Sequence, residues 1–151
     1  MDNSTENSTE NSRNIKLSID SRFKDVSLLG YAIRGICSYL SLDETATYHI
    51  ELSVIEVVNN VIKHSYDSEP GHRVDIEIVI EPDKITFNIS DNGKSMDCRR
   101  LDDLPIKMAT RDVYAEGGWG LFIISSLMDE MNYETVNDLN RFTISKKLQR
   151  L

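Results

Sequence analysis

The segment Ile50-Glu-Leu-Ser-Val-Ile-Glu-Val-Val-Asn-Asn-Val-Ile-Lys-His64 is apolar around almost its whole helical circumference, through Ile50, Leu52, Val54, Ile55, Val57, Val58, Val61 and Ile62. A helix of that kind belongs inside a core. Ser53, Glu56, Asn60 and Lys63 nevertheless recur at intervals of three and four, which draws one narrow polar line along the helix. A buried Glu and a buried Asn need partners, because an unpaired polar group costs about 1–3 kcal/mol. Two readings of the line are open. Either it faces water, or it faces a metal and a phosphate, since a carboxylate and an amide oxygen one turn apart are hard oxygen donors. The helix by itself does not choose between them.

Upstream, Asp43 is placed to cap this helix, which is expected to run from about Glu44 to His64. Ser41-Leu42-Asp43 separates it from a first amphipathic helix over Phe23 to Leu40. There Phe23, Val26, Leu29, Ile33, Ile36 and Leu40 fall at helical spacing, with Asp20 and Ser21 as candidate caps. Before that, Ile15, Leu17 and Ile19 alternate with polar residues as a short strand does. Residues 1–14 repeat Asn-Ser-Thr-Glu and have almost nothing to bury. They are expected to form a disordered tail, with one folded domain over 15–151.

Downstream, Asp67-Ser-Glu-Pro-Gly71 reads as a loop. Val74, Ile76, Ile78 and Ile80 alternate strictly, Glu81-Pro-Asp-Lys84 turns, and Ile85, Phe87 and Ile89 alternate again, so a hairpin is predicted. The long stretch from Ser90 to Gly118 loses periodicity, which inside a compact domain usually marks a functional loop. Helical spacing resumes over Gly120 to Met131 through Leu121, Ile124, Leu127, Met128 and Met131. Two last strands are expected near Asn132–Val136 and Arg141–Leu148, joined by Asn137-Asp-Leu-Asn140. The pattern is that of an α+β fold, a two-layer α/β sandwich with a mostly antiparallel sheet.

Two glycine segments bear on the polar line. Asp91-Asn-Gly-Lys-Ser95 follows the second hairpin strand directly. A carboxylate there can accept a hydrogen bond from an exocyclic amine such as that of adenine, and Gly93 would let backbone pass close to a flat ring. A plain turn is the competing reading. Gly117-Gly-Trp-Gly120 precedes the late helix, where exposed N–H groups and the helix dipole make an anion site; the alternative is a hinge. A Walker-type phosphate loop would need Gly-Lys-Ser/Thr at its end, and no parallel strand–turn–helix unit surrounds these glycines as a dinucleotide fingerprint requires.

Composition limits the partners. The chain has 151 residues, 40% hydrophobic and 28% charged, with a formal net charge of −8. Such an acidic surface repels nucleic acid, so any effect on transcription is expected to pass through another protein. Cys37 and Cys98 show no metal spacing and read as reduced thiols of a cytoplasmic protein. No apolar run approaches the roughly 20 residues of a membrane helix, and the polar N-terminus is unlike a secretory signal.

Taken in order, Glu56-x-x-x-Asn60 on a helix, Asp91-x-Gly93 after a strand and Gly118-x-Gly120 before a helix resemble the ATP-binding (Bergerat) fold. That fold is shared by gyrase, heat-shock chaperone, histidine kinase and mismatch-repair ATPases, the GHKL superfamily, and has its helices on one face of the sheet. Within it the chain is similar to the anti-sigma factor serine/threonine kinases of bacterial stress response and sporulation. Glu56 to His64 looks like their N-box and Asp91 to Asp97 like their first glycine box. Glu116-Gly-Gly-Trp-Gly-Leu-Phe-Ile-Ile-Ser-Ser-Leu-Met-Asp-Glu130 carries their distinctive Leu-Met-Asp-Glu ending.

The resemblance implies roles. Glu56 would be the general base and Asn60 the magnesium ligand. Asp91 would take the adenine amine with Gly93 beside the ring, while Gly118, Gly120 and Leu121 would bind the nucleotide. A lid over Asp97 to Gly117 would carry Lys107 and Arg111, either touching phosphates or solvated. The implied activity is ATP- and Mg²⁺-dependent phosphorylation of a small anti-anti-sigma (STAS-type) protein, with a sigma factor as the alternate partner and a homodimer as the working form. The rival is a nucleotide-dependent binding switch without efficient transfer. Two positions depart from the pattern: Ser95 stands where the wider superfamily has glycine, and Arg141, with Thr143 two residues later, stands where relatives often carry a threonine near the adenine.

Overall fold

Strict alternation makes strands because successive side chains of an extended chain point to opposite faces. The computed structural model of the chain describes residues 11–96 and 118–149. Within them, five segments are strands: β1 (Arg13–Asp20), β2 (Arg73–Ile80), β3 (Lys84–Asp91), β4 (Glu130–Val136) and β5 (Leu139–Lys147). They form one antiparallel sheet in the order β1-β2-β3-β5-β4. The register sets Ile76 opposite Ile89, and Phe87 opposite both Ile78 and Ile144, so the apolar residues make a continuous stripe on one face. Those side chains are fully buried, whereas Asp75, Glu77, Asn88 and Thr143 on the other face are only half-buried.

The helices cover the apolar face. They are α1 (Val26–Tyr39), α2 (Glu44–Asn60) and α3 (Gly118–Leu127), with α2 packed between the other two. Asp43 caps α2, its carboxylate accepting from Ala46 N at 2.7 Å. The expected caps of α1 are employed elsewhere. Asp20 closes β1 and pairs with Arg22 at 2.8 Å. The Ser21 hydroxyl donates to Glu69 O and accepts from His72 N, tying the end of β1 to the start of β2. α1 is entered instead through a 3₁₀ turn over Phe23–Asp25, which leaves Phe23 49% exposed and outside the core.

Other boundaries also differ from expectation. α2 ends at Asn60 and is followed by a π turn, Val61–Ser65, in which Tyr66 N bonds Val61 O at 3.2 Å; such widened turns are rare and favour functional sites. α3 ends at Leu127 rather than Met131. Met128 N still reaches Ile124 O, but Asp129 N bonds Ser145 O and the Asp129 carboxylate accepts from Lys147 N, so β5 captures the chain and Met131 falls in β4. Asn137 and Asp138, at φ 52° and 63°, are the two central residues of the β4–β5 hairpin, so β5 starts at Leu139. Cys37 is a buried free thiol that burial pushes up to about 11, which keeps it protonated and unreactive. Of the expected tail over residues 1–14, residues 1–10 lie outside the described residues, while Arg13 and Asn14 pair with Ile80 and Val79 and so belong to β1 rather than to a tail. Cys98 also lies outside the described residues, as does the expected lid, Asp97 to Gly117, with Lys107 and Arg111. Among the described residues, no helix is long and apolar enough to cross a membrane.

Candidate functional site

The polar line on α2 runs from the core outward. Ser53 is 0% exposed, and its hydroxyl has no hydrogen-bond partner among the described residues. Glu56 and Asn60 are half-buried, and Lys63 beyond them is exposed. Opposite Glu56 and Asn60 stands the first turn of α3, which Gly118 opens. A Cβ added at Gly120 would lie 3.0 Å from Glu56 Oε2, 3.0 Å from Asn60 Nδ2 and 3.4 Å from Asn60 Oδ1. The missing side chain of Gly120 is thus what lets a helix N-terminus meet the carboxylate and amide. Burial pushes the Glu56 carboxyl above the usual carboxylate range. Backbone N–H groups at a helix N-terminus suit an anion, and a carboxylate raised that way beside them is chemically suited to take a proton near one.

The second half of the site is the end of β3. Asp91 is 4% exposed, and its Oδ1 accepts from Gly93 N and from Asn140 Nδ2, both at 2.9 Å. Burial raises this carboxyl, while the bonds from Asn140, Gly93 N and Ser65 pull it back. The following loop is seated on the π turn. Lys94 N bonds Ser65 O at 2.9 Å, and a Cβ at Gly93 would lie only 2.3 Å from that same oxygen. Glycine is therefore demanded here by close approach to the Ser65 backbone. The Tyr66 hydroxyl holds the loop from below. It lies 2.7 Å from Arg73 O and 2.9 Å from Asn92 Oδ1, one of which takes its hydrogen, and it accepts from Asn92 N at 3.1 Å.

Between these halves lies a cleft of about 470 Å³, counting the part open to solvent. Asn60 and Val61 of α2 and the π turn, Asp91, Met96, Leu121 of α3 and Tyr133 of β4 are among its walls. Its apolar walls with a few convergent polar groups are the usual composition of a ligand pocket. Asn60, Asp91 and Leu121 thus line one cleft, Gly93 N donates to Asp91, and Glu56 and Gly120 meet beside Asn60.

Arg141 and Thr143 do not join them. Arg141 is exposed on the sheet face turned away from the helices, and the Thr143 hydroxyl donates to Asn88 on that same face at 2.8 Å. The residue beside Asp91 is its register partner Asn140, 1% exposed. A signal for it existed. Asn140 shares the parity of Phe142 and Ile144, so it points inward with them, but one residue of turn placement decides that parity. Ser95 also finds a reason: its hydroxyl donates to Asn140 Oδ1 at 3.0 Å.

Residues 20–146 match the model of the histidine kinase-like ATPase domain. The serine-protein kinase RsbW of Listeria monocytogenes serotype 4a (strain HCC23) is 30% identical over 120 residues, covering 78% of this chain and 76% of the relative. That of Bacillus pumilus is 26% identical over 125 residues, covering 80% and 77%. Among solved structures, the SiaB–SiaC complex from Pseudomonas aeruginosa contains a chain with a TM-score of 0.67 at 14% identity, over 93% of this chain and 92% of that one. A Mycobacterium tuberculosis structure of RsbU and RsbW domains gives 0.66 at 13%, over 92% of this chain and 33% of that one. At such identities the two structures speak for the fold alone.

Proposed function

The chain belongs to the histidine kinase-like ATPase family, among serine-protein kinases of the RsbW kind, and from that premise we propose that it binds ATP with Mg²⁺ and phosphorylates a serine or threonine of an anti-anti-sigma partner. The observation that carries the reading is the meeting of Glu56 and Asn60 with the first turn of α3 across Gly120. It brings a carboxylate, an amide oxygen and a helix N-terminus around one point, groups suited to accept a proton, hold a cation and bind a phosphate. Asp91 at the other end of the cleft is the acceptor for the adenine amine, with Gly93 and Leu121 beside the nucleotide and Gly118 and Gly120 at its phosphates. A sigma factor is the alternate partner, a homodimer the working form and the cytoplasm the location. The acidic surface disfavours a direct nucleic-acid partner.

The donor set suits magnesium. Among the described residues no group of three or more His, Cys, Asp or Glu could hold a metal ion by itself. Magnesium in nucleotide sites is commonly held by one or two side chains together with phosphates, and Asn60 Oδ1 supplies the side-chain oxygen. When bound, the ion would neutralise phosphate charge. The protein's own residues do the rest. Glu56 accepts the hydroxyl proton as the partner's oxygen bonds to the γ-phosphorus and the bond to the β-phosphate oxygen breaks, releasing ADP. The N–H groups of the α3 first turn take up charge on the phosphates.

The test is incubation of the protein with ATP, magnesium and a STAS-type partner, read by mass spectrometry for a phosphorylated hydroxyl. Nucleotide binding without transfer would leave only the binding switch, and no binding would end the reading. Asn60→Ala is expected to weaken ATP binding in magnesium by about tenfold, with a smaller loss in EDTA; equal losses in both, measured by calorimetry, would remove Asn60 from the metal. Transfer should also fall as pH is lowered. The base must be ionised, and burial raises Glu56, so the acid limb of kcat lies above that of a free glutamate. A pH–rate profile with an ordinary carboxylate midpoint would contradict this.

A further inference from the structure

Asn140 has every hydrogen-bonding group employed. Its Nδ2 lies 2.9 Å from Asp91 Oδ1, 3.0 Å from Gly93 O and 3.3 Å from Lys94 O, so one hydrogen goes to the carboxylate and the other is shared by the two carbonyls. Its Oδ1 accepts from Ser95 Oγ at 3.0 Å and from Thr135 Oγ1 at 2.8 Å. Both ends of the amide are therefore fixed, and its orientation with them. At 1% exposure no water replaces any of these bonds without cost. A single side chain from β5 holds the Asp91 carboxylate and the loop that follows it.

We propose that Asn140 is a positioning residue that sets base selectivity: by donating to Asp91 Oδ1 it holds that carboxylate in place as a hydrogen-bond acceptor, which favours adenine over guanine. The inference rests on the nucleotide reading above. Adenine offers an amine at the exocyclic position where guanine offers a carbonyl oxygen. An ionised carboxylate accepts from the first and repels the second, whereas a protonated one can donate to the second. Asp91 is buried, which favours the protonated form, and the donors at Oδ1 oppose that. The other titratable groups around it, among the described residues, are His64 and Tyr66 at the π turn, Lys94 in the loop and Tyr133 on β4. The Lys94 ammonium is bridged to Asp67 at 2.7 Å, and the donors to Asp91 Oδ1, Gly93 N and Asn140 Nδ2 at 2.9 Å each, are uncharged.

The experiment titrates ATP and GTP, each with magnesium, into the wild-type chain and into Asn140→Asp, Asn140→Thr and Asn140→Val, in mildly acidic and mildly alkaline buffer. Asn140→Asp sets a second carboxyl against Asp91, so the two share a proton. The ATP-to-GTP affinity ratio should then narrow about tenfold or more in acidic buffer and recover in alkaline buffer. Thr and Val have the same shape and differ by one hydroxyl donor, so Asn140→Thr should keep the preference and Asn140→Val lose it. This pair decides the matter even if Asn140→Asp does not fold. A ratio unchanged in Asn140→Val, or ATP and GTP affinities falling by equal factors in all variants, overturns the proposal and leaves Asn140 merely structural. A wild-type chain that binds neither nucleotide overturns the nucleotide reading, and this proposal with it.

Discussion

Replacing Glu56 by glutamine is expected to leave ATP affinity within about threefold of wild type and to cut transfer to the partner hydroxyl by about 10²–10⁴-fold, the usual worth of a positioned general base. Glutamine keeps the shape and the length of the side chain beside Gly120, where a Cβ would already lie 3.0 Å from Glu56 Oε2. It therefore keeps the packing of α2 against α3. What it loses is the ability to take a proton. Burial raises Glu56 above an ordinary carboxylate, which strengthens it as a base at neutral pH and leaves a neutral replacement no substitute. Binding is read by calorimetry and transfer by phosphate incorporation into the partner. A Glu56→Gln protein that phosphorylates at near wild-type rate would mean that the hydroxyl proton goes elsewhere.

The second large effect is expected from Gly93→Ala. Its Cβ would stand 2.3 Å from Ser65 O, 2.7 Å from Ser65 C and 2.9 Å from Ser65 Cβ, two of them backbone atoms that a rotamer change cannot move. The loop must lift off the π turn. In doing so it strains three bonds at once: Lys94 N to Ser65 O, Gly93 N to Asp91 and Asn140 Nδ2 to Gly93 O. At about 0.5–1.5 kcal/mol each, with overpacking of about 1–3 kcal/mol besides, the cost is large. ATP affinity should fall by about 10²-fold or more, and the melting temperature should drop. Gly35→Ala in α1 is the control, because a Cβ there meets nothing within 4 Å. If Gly93→Ala binds ATP as wild type does, Asp91 and its loop do not form the base end of the site.

The elements themselves were largely legible, because their causes are local. Asp43 caps α2 across three residues, and Val74 to Ile80 alternate because a half-buried strand must. The misplaced boundaries share a different cause. Met131 fits the helical spacing of α3 and the alternation of β4 equally well, and the bond from Asp129 N to Ser145 O decided between them. Asp20 and Ser21 look like caps until Arg22 claims the first and the approach to β2 the second.

What the sequence by itself determined was the set of chemical groups and the elements that carry them: a carboxylate and an amide on one line of a buried helix, an aspartate ending a strand, and glycines opening a helix. Periodicity and capping act over a few residues, so they are written locally. Their meeting was decided only in three dimensions. Gly120 touches Glu56 and Asn60 because α3 packs on α2, and Gly93 faces Ser65 because a π turn carries that carbonyl to the loop. Asn140, rather than Arg141 or Thr143, reaches Asp91 because strand register puts it there. Packing and register depend on residues far apart in the chain, and a shift of one residue turns a side chain to the opposite face.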